Sequence, residues 1–332
     1  MHDPAFWWRR AGVRARLLAP LGIIYGAVAA RRLLKKGERA GVPVLCTGNF
    51  TLGGTGKTPT AIMLCRMLAG AGERPFCLTR GYGGTAAGPK LVDVHADTAA
   101  QVGDEPLLLA RTVPTVVARD RAAGAAFART HGATVIVMDD GLQNPSLAKD
   151  FTLAVVDARR GIGNACVFPA GPLRAPLAAQ LAQTDALLVV GEGHGADEVA
   201  AQVRAHSRPV LHARLVPEQS TVSTLEGRRV LAFAGIGDPE KFFRTADEAG
   251  IVVAERRAFP DHHPFNAEDA GELIMRAEHA GLMLLTTEKD FVRMHGDPLL
   301  QALAARIHAL PVTMVVEETD ELRRLVSSKL RR

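Results

Sequence analysis

Short runs of apolar residues recur along the first two thirds of the chain, at 42–46, 75–78, 115–117, 135–138, 153–156 and 186–190, and helical patterns lie between several of them, at 60–69, 106–111 and 119–130. The runs are apolar throughout instead of alternating with polar residues, which predicts strands buried on both faces. Strand alternating with helix predicts an α/β fold with a doubly wound parallel sheet, whose ligands bind at the carboxyl ends of the strands.

A polar stretch at 216–229, with Pro217 and Gly227, reads as a linker or short hairpin. A second α/β pattern follows, with strands at 230–234, 251–254, 282–285 and 312–316 and helices at 239–249, 267–280 and 320–330. We therefore expect a basic aromatic helix over 1–36, a first domain over 37–218, and a smaller α/β domain over 219–332 that completes a cleft. No internal repeat or low-complexity tract interrupts this organisation.

Between the apolar run ending at Cys46 and the next helical pattern stands Thr51-Leu-Gly-Gly-Thr-Gly-Lys-Thr58. Strand, glycine-rich turn and helix are the setting of a phosphate-binding P-loop, so the first domain is expected to be P-loop NTPase-like. Gly53, Gly54, Thr55 and Gly56 offer backbone N–H groups to phosphate oxygens, at the positive end of a helix. Lys57 reaches the terminal phosphates and the Thr58 hydroxyl ligates Mg²⁺. The usual first glycine is replaced by Thr51, and the plain alternative is a turn that only joins strand to helix.

The chain has 332 residues, 47% of them hydrophobic, enough for two buried cores. Cys46, Cys65, Cys77 and Cys166 form no Cys-x-x-Cys pair and read as buried apolar residues of a reduced compartment. The net charge of +5 is local: nine Lys or Arg against two acids fall in residues 1–40, leaving the remainder slightly acidic. A nucleic-acid-binding body is thereby excluded. The same segment holds Trp7, Trp8 and Tyr25 and an apolar stretch over 17–30, flanked by arginines. Its 14 residues fall short of the roughly 20 that span a bilayer, so it is expected to lie on a membrane surface, drawn there by anionic lipids. A signal peptide, a helix packed on the body, and a nucleic-acid arm are the alternatives.

Several loops carry candidate chemistry. Residues 134–140 form an apolar run ending in Asp139 and Asp140, as in a Walker B element that holds hydrated Mg²⁺; Gln143 follows, placed for metal-bound water or substrate. Gly103-Asp104-Glu105-Pro106 places two carboxylates at a helix start, either to orient an attacking hydroxyl or to cap the helix. Asp261, His262 and His263 stand in a proline-bounded loop suited to acid–base work or to a surface turn. Arg80, in Arg-Gly-Tyr-Gly, is a strand-end arginine of the kind that meets phosphate, and Arg174 stands in a second, rigid loop, Phe-Pro-Ala-Gly-Pro-Leu-Arg. Thr286-Thr-Glu-Lys-Asp290 reads equally as a capping box.

The order of these motifs, with Asp-Asp-Gly-Leu-Gln-Asn at 139–144, resembles the tetraacyldisaccharide 4′-kinases, the lipid A 4′-kinases of Gram-negative bacteria, from the basic helix to about residue 320. That family shares the variant loop with Thr51. The resemblance implies transfer of the γ-phosphate of ATP to the 4′-hydroxyl of a tetraacylated, 1-phosphorylated glucosamine disaccharide. It also implies peripheral attachment at the cytoplasmic face of the inner membrane. On it, Lys57 is the P-loop lysine, Asp139 and Asp140 hold the metal, and Glu105 and Gln143 lie near nucleotide, metal or substrate. The smaller domain would bring Asp261, His262 and His263 over the cleft, and Asp104, bonded most naturally to His262 with His263 left open, would orient the hydroxyl and accept its proton. No obligate protein partner is expected. Ala175 and Asn144 depart from the common family residues Glu and His. The competing readings are a membrane-associated nucleotide switch acting on a protein, which lacks a guanine-reading motif here, and a soluble small-metabolite kinase, which leaves the N-terminal segment unexplained.

Overall fold

The structure, a computed structural model, describes residues 4–294 and 297–330. In chain order its strands are β1 (Val44–Gly48), β2 (Pro75–Thr79), β3 (Lys90–Leu91), β4 (Thr115–Val117), β5 (Val135–Met138), β6 (Phe151–Asp157), β7 (Ala186–Val190), β8 (Val210–Pro217), β9 (Arg229–Ala234), β10 (Val252–Ala258), β11 (Met283–Thr287), β12 (Ile307–Leu310) and β13 (Val312–Val316). The helices are α1 (Val13–Leu33), α2 (Lys57–Gly70), α3 (Ala99–Val102), α4 (Asp104–Ala110), α5 (Arg121–Thr130), α6 (Leu177–Ala182), α7 (Asp197–Ala205), α8 (Gln219–Leu225), α9 (Pro239–Glu248), α10 (Ala267–Ala280), α11 (Glu288–Met294), α12 (Gln301–Ala304) and α13 (Thr319–Leu330).

The larger sheet has nine strands in the order β13-β8-β7-β6-β1-β5-β2-β4-β3, parallel except for β13 and β3 at its edges. It is doubly wound, as the apolar runs predict. β1 is central, paired with β5 on one side and β6 on the other. The strand order reverses about β1, so its carboxyl end is a topological switch point, where such sheets bind ligands. Both faces are buried: Leu45 and Val137 pack against Ala61, Leu64 and Leu68 of α2, while Val44, Cys46 and Ile136 pack against Ala125 and Ala128 of α5. All four cysteines are free.

A second, all-parallel sheet has the order β10-β9-β11-β12. Helices cover both its faces, α10 and α12 on one and α8 and α9 on the other. The expected boundary at the C-terminal end needs correction. β13 belongs to the larger sheet, antiparallel to β8, and α13 buries Leu322 and Val326 in the core of that sheet. The strand at 312–316 pairs there because β8 leaves a free edge beside the returning chain. The smaller body is thus an insertion, entered at Glu218 and left at Pro311, and the Glu218 N–H donates to the Pro311 carbonyl at 2.9 Å. The 216–229 stretch is neither linker nor hairpin: it finishes β8 and forms α8.

α1 runs 21 residues, because helix continues through the basic residues that flank the apolar stretch. By length and composition alone it is long and apolar enough to cross a membrane, which corrects the expectation that the segment falls short of a span, although the apolar stretch itself is confined to 17–30. One face lies on the body. A Cβ at Gly22 would meet the Val167 carbonyl oxygen at 2.8 Å and one at Gly26 would meet Pro176 at 3.3 Å, so glycine permits this close approach. The other face exposes Leu17, Leu21, Ile24 and Val28, spaced as one stripe. Trp7 is buried, its indole N–H donating to the Pro169 carbonyl, and Arg160 lies 4.9 Å over the Trp8 ring.

Candidate active site

The loop after β1 turns through Gly53 (φ 97°) and Gly56 (φ 98°), both in the left-handed region that glycine occupies without strain. Gly56 caps α2, and nothing approaches a Cβ position at Gly54 within 4 Å. The Thr55 hydroxyl is buried with no hydrogen-bond partner among the described residues. Open backbone at a helix start with an unpaired buried hydroxyl fits a phosphate chain.

Four ionisable side chains, Asp139, Asp140, Lys57 and Arg174, meet at this loop. Asp139, at the end of β5, is fully buried; Thr47 of β1 donates to its Oδ1 at 3.2 Å and Thr58 to its Oδ2 at 3.5 Å. Burial, reinforced by the nearby carboxylates Glu105 and Asp140, pushes Asp139 up to about 7. Asp140 sits 3.9 Å from Lys57 Nζ and 3.1 Å from Arg174 Nη1. Burial would raise Asp140, but Lys57 and Arg174 overcome it and hold the carboxyl below its ordinary value. Burial lowers the Lys57 ammonium, with Asp140 opposing. Arg174 also donates from Nε to the Thr51 carbonyl at 2.9 Å, tying the 168–174 loop to the P-loop. The half-buried Thr58 hydroxyl beside two carboxylates, with Asp140 Oδ1 accepting no hydrogen bond among the described residues, is a hard-oxygen set of the kind that holds hydrated Mg²⁺.

The second cluster is built across the two sheets. Asp104 opens α4 and is 4% exposed. Gly103 makes this possible: at φ 94° its missing side chain lets the 81–84 loop lie against it, with the Tyr82 carbonyl 2.6 Å from where a Cβ would stand. Asp104 Oδ1 accepts the Glu105 N–H at 2.9 Å. Its Oδ2 faces His262 Nδ1 at 3.1 Å. His262 itself has φ 56°, and Asp140 φ 50°; left-handed backbone is costly for side-chain-bearing residues and clusters at functional sites. Tyr82 packs against the His262 ring at 5.2 Å.

The histidine that meets Asp104 is His262. His263 turns into the smaller body, bonded to Asp269 at 2.9 Å and stacked on Phe259, which contradicts its expected place over the cleft. Asp261 stays at the cleft, 3.9 Å from His262 Nε2. Arg80 is exposed, away from these groups' hydrogen bonds among the described residues. Gln143 donates to the Asn49 carbonyl at 2.8 Å and to Gln180 at 2.7 Å, bracing the P-loop from behind. Asn144 accepts from the Ser146 N–H and hydroxyl, a turn-closing part, and Ala175 is fully buried.

Sequence reasoning missed α11. Thr287 and Asp290 do bond reciprocally at its start, as a capping box would. Between and beyond them, Lys289 Nζ reaches Glu105 at 3.0 Å and lies 3.4 Å from His262 Nε2, and Arg293 donates to Asp104 Oδ2. The signal was the spacing: Lys289 and Arg293 are four apart, on one face of a short helix. Burial would raise Asp104, but the His262 hydrogen bond with Lys289 and Arg293 overcomes it and holds the carboxyl well below its usual range. The acids likewise raise Lys289 against its burial.

The chain is similar to known proteins over nearly its whole length. A family model described as Tetraacyldisaccharide-1-P 4′-kinase matches residues 14–331. A tetraacyldisaccharide 4′-kinase of Rhodopseudomonas palustris (strain BisB5) is 55% identical over 330 residues, 99% of this chain and 97% of that protein. One of Nitrobacter hamburgensis is 55% identical over 332 residues, 100% and 99% of the two chains. A crystal structure of LpxK from Aquifex aeolicus in complex with ATP superposes with a TM-score of 0.71 and 25% identity, over 95% of this chain and 99% of that one.

Proposed function

The chain belongs to the tetraacyldisaccharide-1-phosphate 4′-kinase family, and from that premise we propose how its residues transfer phosphate from ATP to the 4′-hydroxyl of the acylated disaccharide in lipid A biosynthesis. The observation that carries the mechanism is the Asp104–His262 contact, made between two different bodies of the molecule beside a P-loop.

Gly53 to Thr58 receive the triphosphate, with Lys57 at its terminal oxygens. Thr58, Asp139 and Asp140 are the residues that would hold Mg²⁺, which when bound offsets negative charge on the phosphates. Asp104 was expected to take the hydroxyl proton. An aspartate held by Arg293, Lys289 and His262 far below its usual range is a poor base, so the assignment moves to His262. Asp104 fixes the tautomer by accepting from Nδ1, leaving Nε2 to accept the proton. The hydroxyl oxygen bonds to the γ-phosphorus, the bond from that phosphorus to the ADP oxygen breaks, and the proton passes to His262 Nε2. Lys289 Nζ lies nearer Glu105, at 3.0 Å, than His262 Nε2, at 3.4 Å, and in this reading the incoming hydroxyl takes the place of the ammonium at Nε2.

The exposed stripe of α1 and the basic residues at its ends support a seat at an anionic membrane surface, where a multiply acylated acceptor would lie. We place the protein at the cytoplasmic face of the inner membrane. Purified protein with labelled ATP, Mg²⁺ and the disaccharide monophosphate in mixed micelles is expected to yield a 4′-phosphorylated product; hydrolysis of ATP with no labelled lipid would overturn the reading.

A further inference from the structure

Asp104 is anchored less by its own helix than by Arg293, one turn into α11 of the smaller body. The Arg293 fork donates to Asp104 Oδ2 from Nε at 3.1 Å and from Nη2. Its remaining nitrogen, Nη1, donates to Asp290 Oδ1 at 2.7 Å and to the Gly235 carbonyl at 3.1 Å. Asp290, fully buried, also accepts the Gly235 N–H at 3.0 Å and the Thr287 hydroxyl at 2.7 Å. Val292, between Lys289 and Arg293, buries itself among Val102, Leu107 and Val117 of the larger body. The guanidinium is therefore a rigid bracket: one end grips the frame of the smaller body and the other grips the carboxylate that orients the base.

We infer that Arg293 is a positioning residue for phosphotransfer, acting through Asp104 on His262. The inference rests on the kinase reading for its catalytic consequence, but the bracket itself is a geometric claim. Charged or titratable groups facing Asp104 are His262, Lys289, Arg293 and Glu105, and His262 itself also faces Lys289 at 3.4 Å and Asp261 at 3.9 Å. Two-point donation to one oxygen leaves the other to the Glu105 N–H and fixes the carboxylate plane against Nδ1. A lysine supplies charge at this place without the fork, and a glutamine supplies neither.

The test compares Arg293→Gln and Arg293→Lys with the wild-type full chain, after thermal melts identify folded variants. In Arg293→Gln, kcat is expected to fall about 10- to 100-fold, with KM for ATP and lipid within about twofold. Removing the cation also favours the protonated dyad, so the acidic limb of the kcat profile moves to higher pH. Arg293→Lys is expected to restore the limb and part of kcat. Wild-type kcat in Arg293→Gln, or a fall in kcat with an unmoved limb in both variants, overturns the inference. Histidine ring NMR titration of His262 reads the same bracket without lipid: an upward shift in Arg293→Gln supports it, and an unchanged titration contradicts it. If the wild-type protein itself phosphorylates no lipid, the kinase reading fails, while the NMR titration still decides the bracket.

Discussion

One carboxylate, Asp104, joins the two bodies, fixes an imidazole and faces three cationic or imidazole groups at hydrogen-bond or ion-pair distance. Asp104→Asn keeps the shape but loses the anion, and its amide presents an N–H where Nδ1 needs an acceptor. Initial rates are expected to fall ~10²–10⁴-fold with little change in KM for ATP; turnover near wild type would remove Asp104 from the mechanism. Asp139 gives a pH signature of opposite sign. Its folded-state value, about 7, lies above the ordinary carboxylate value of 3.8, so the folded protein binds this proton more tightly than the unfolded chain. Without metal, the stability linked to Asp139 is full below about pH 4 and is lost as pH rises through 7. Denaturant midpoints at pH 5.5 and 8 should show a smaller decline in Asp139→Asn than in wild type. Equal declines would contradict the raised value. The same proton competes with Mg²⁺ below neutrality, so metal-dependent ATP binding should weaken at pH 6 relative to pH 8.

At the level of elements, the P-loop was fully legible, because strand, glycines and Gly-Lys-Thr are consecutive in sequence. Asp139 was legible for the same reason: it ends an unbroken apolar strand. α11 was not, since seven residues give a weak periodic signal and its Lys and Arg serve a partner some 180 positions away. The direction of His262 against His263 was also hidden, for it depends on a left-handed backbone that histidine adopts only under tertiary constraint. α1 was legible in character and mistaken in length. Its exposed stripe argues for an interfacial seat, and its glycines for docking on the 167–176 loop. A Leu21→Asp, Ile24→Asp variant is expected to stop floating with anionic vesicles while keeping ATP binding; flotation equal to wild type would contradict the interfacial seat. Gly22→Val forces a Cβ into the Val167 carbonyl and should destabilise the protein by about 1–3 kcal/mol in chemical denaturation, whereas an unchanged midpoint would mean that α1 is not docked there.

For the whole molecule, the alternation of strand and helix foretold both sheets but not the way they are threaded. Edge pairing of β13 with β8 is a contact between distant segments, invisible to local pattern, and it makes the smaller body an insertion held by two adjacent crossings. Further ion pairs bridge the bodies: Lys241 with Asp157 at 2.7 Å, and Arg160, the arginine over Trp8, with Asp238 at 3.0 Å. The P-loop lies under this junction, since a Cβ at Gly237 would stand 3.4 Å from the Gly54 nitrogen. The P-loop, the Asp104–His262 pair and the residues packed on the N-terminal segment thus meet at the junction of the two bodies, and the account's central claim is that His262, oriented by Asp104, deprotonates a lipid hydroxyl there. The most direct measurement is labelled phosphate transfer to the disaccharide monophosphate by wild type and His262→Gln, with ATP binding followed in parallel. The account predicts labelled 4′-phosphate from wild type, with transfer lowered ~10²–10⁴-fold in the variant and ATP affinity unchanged. Equal transfer by both proteins would contradict it.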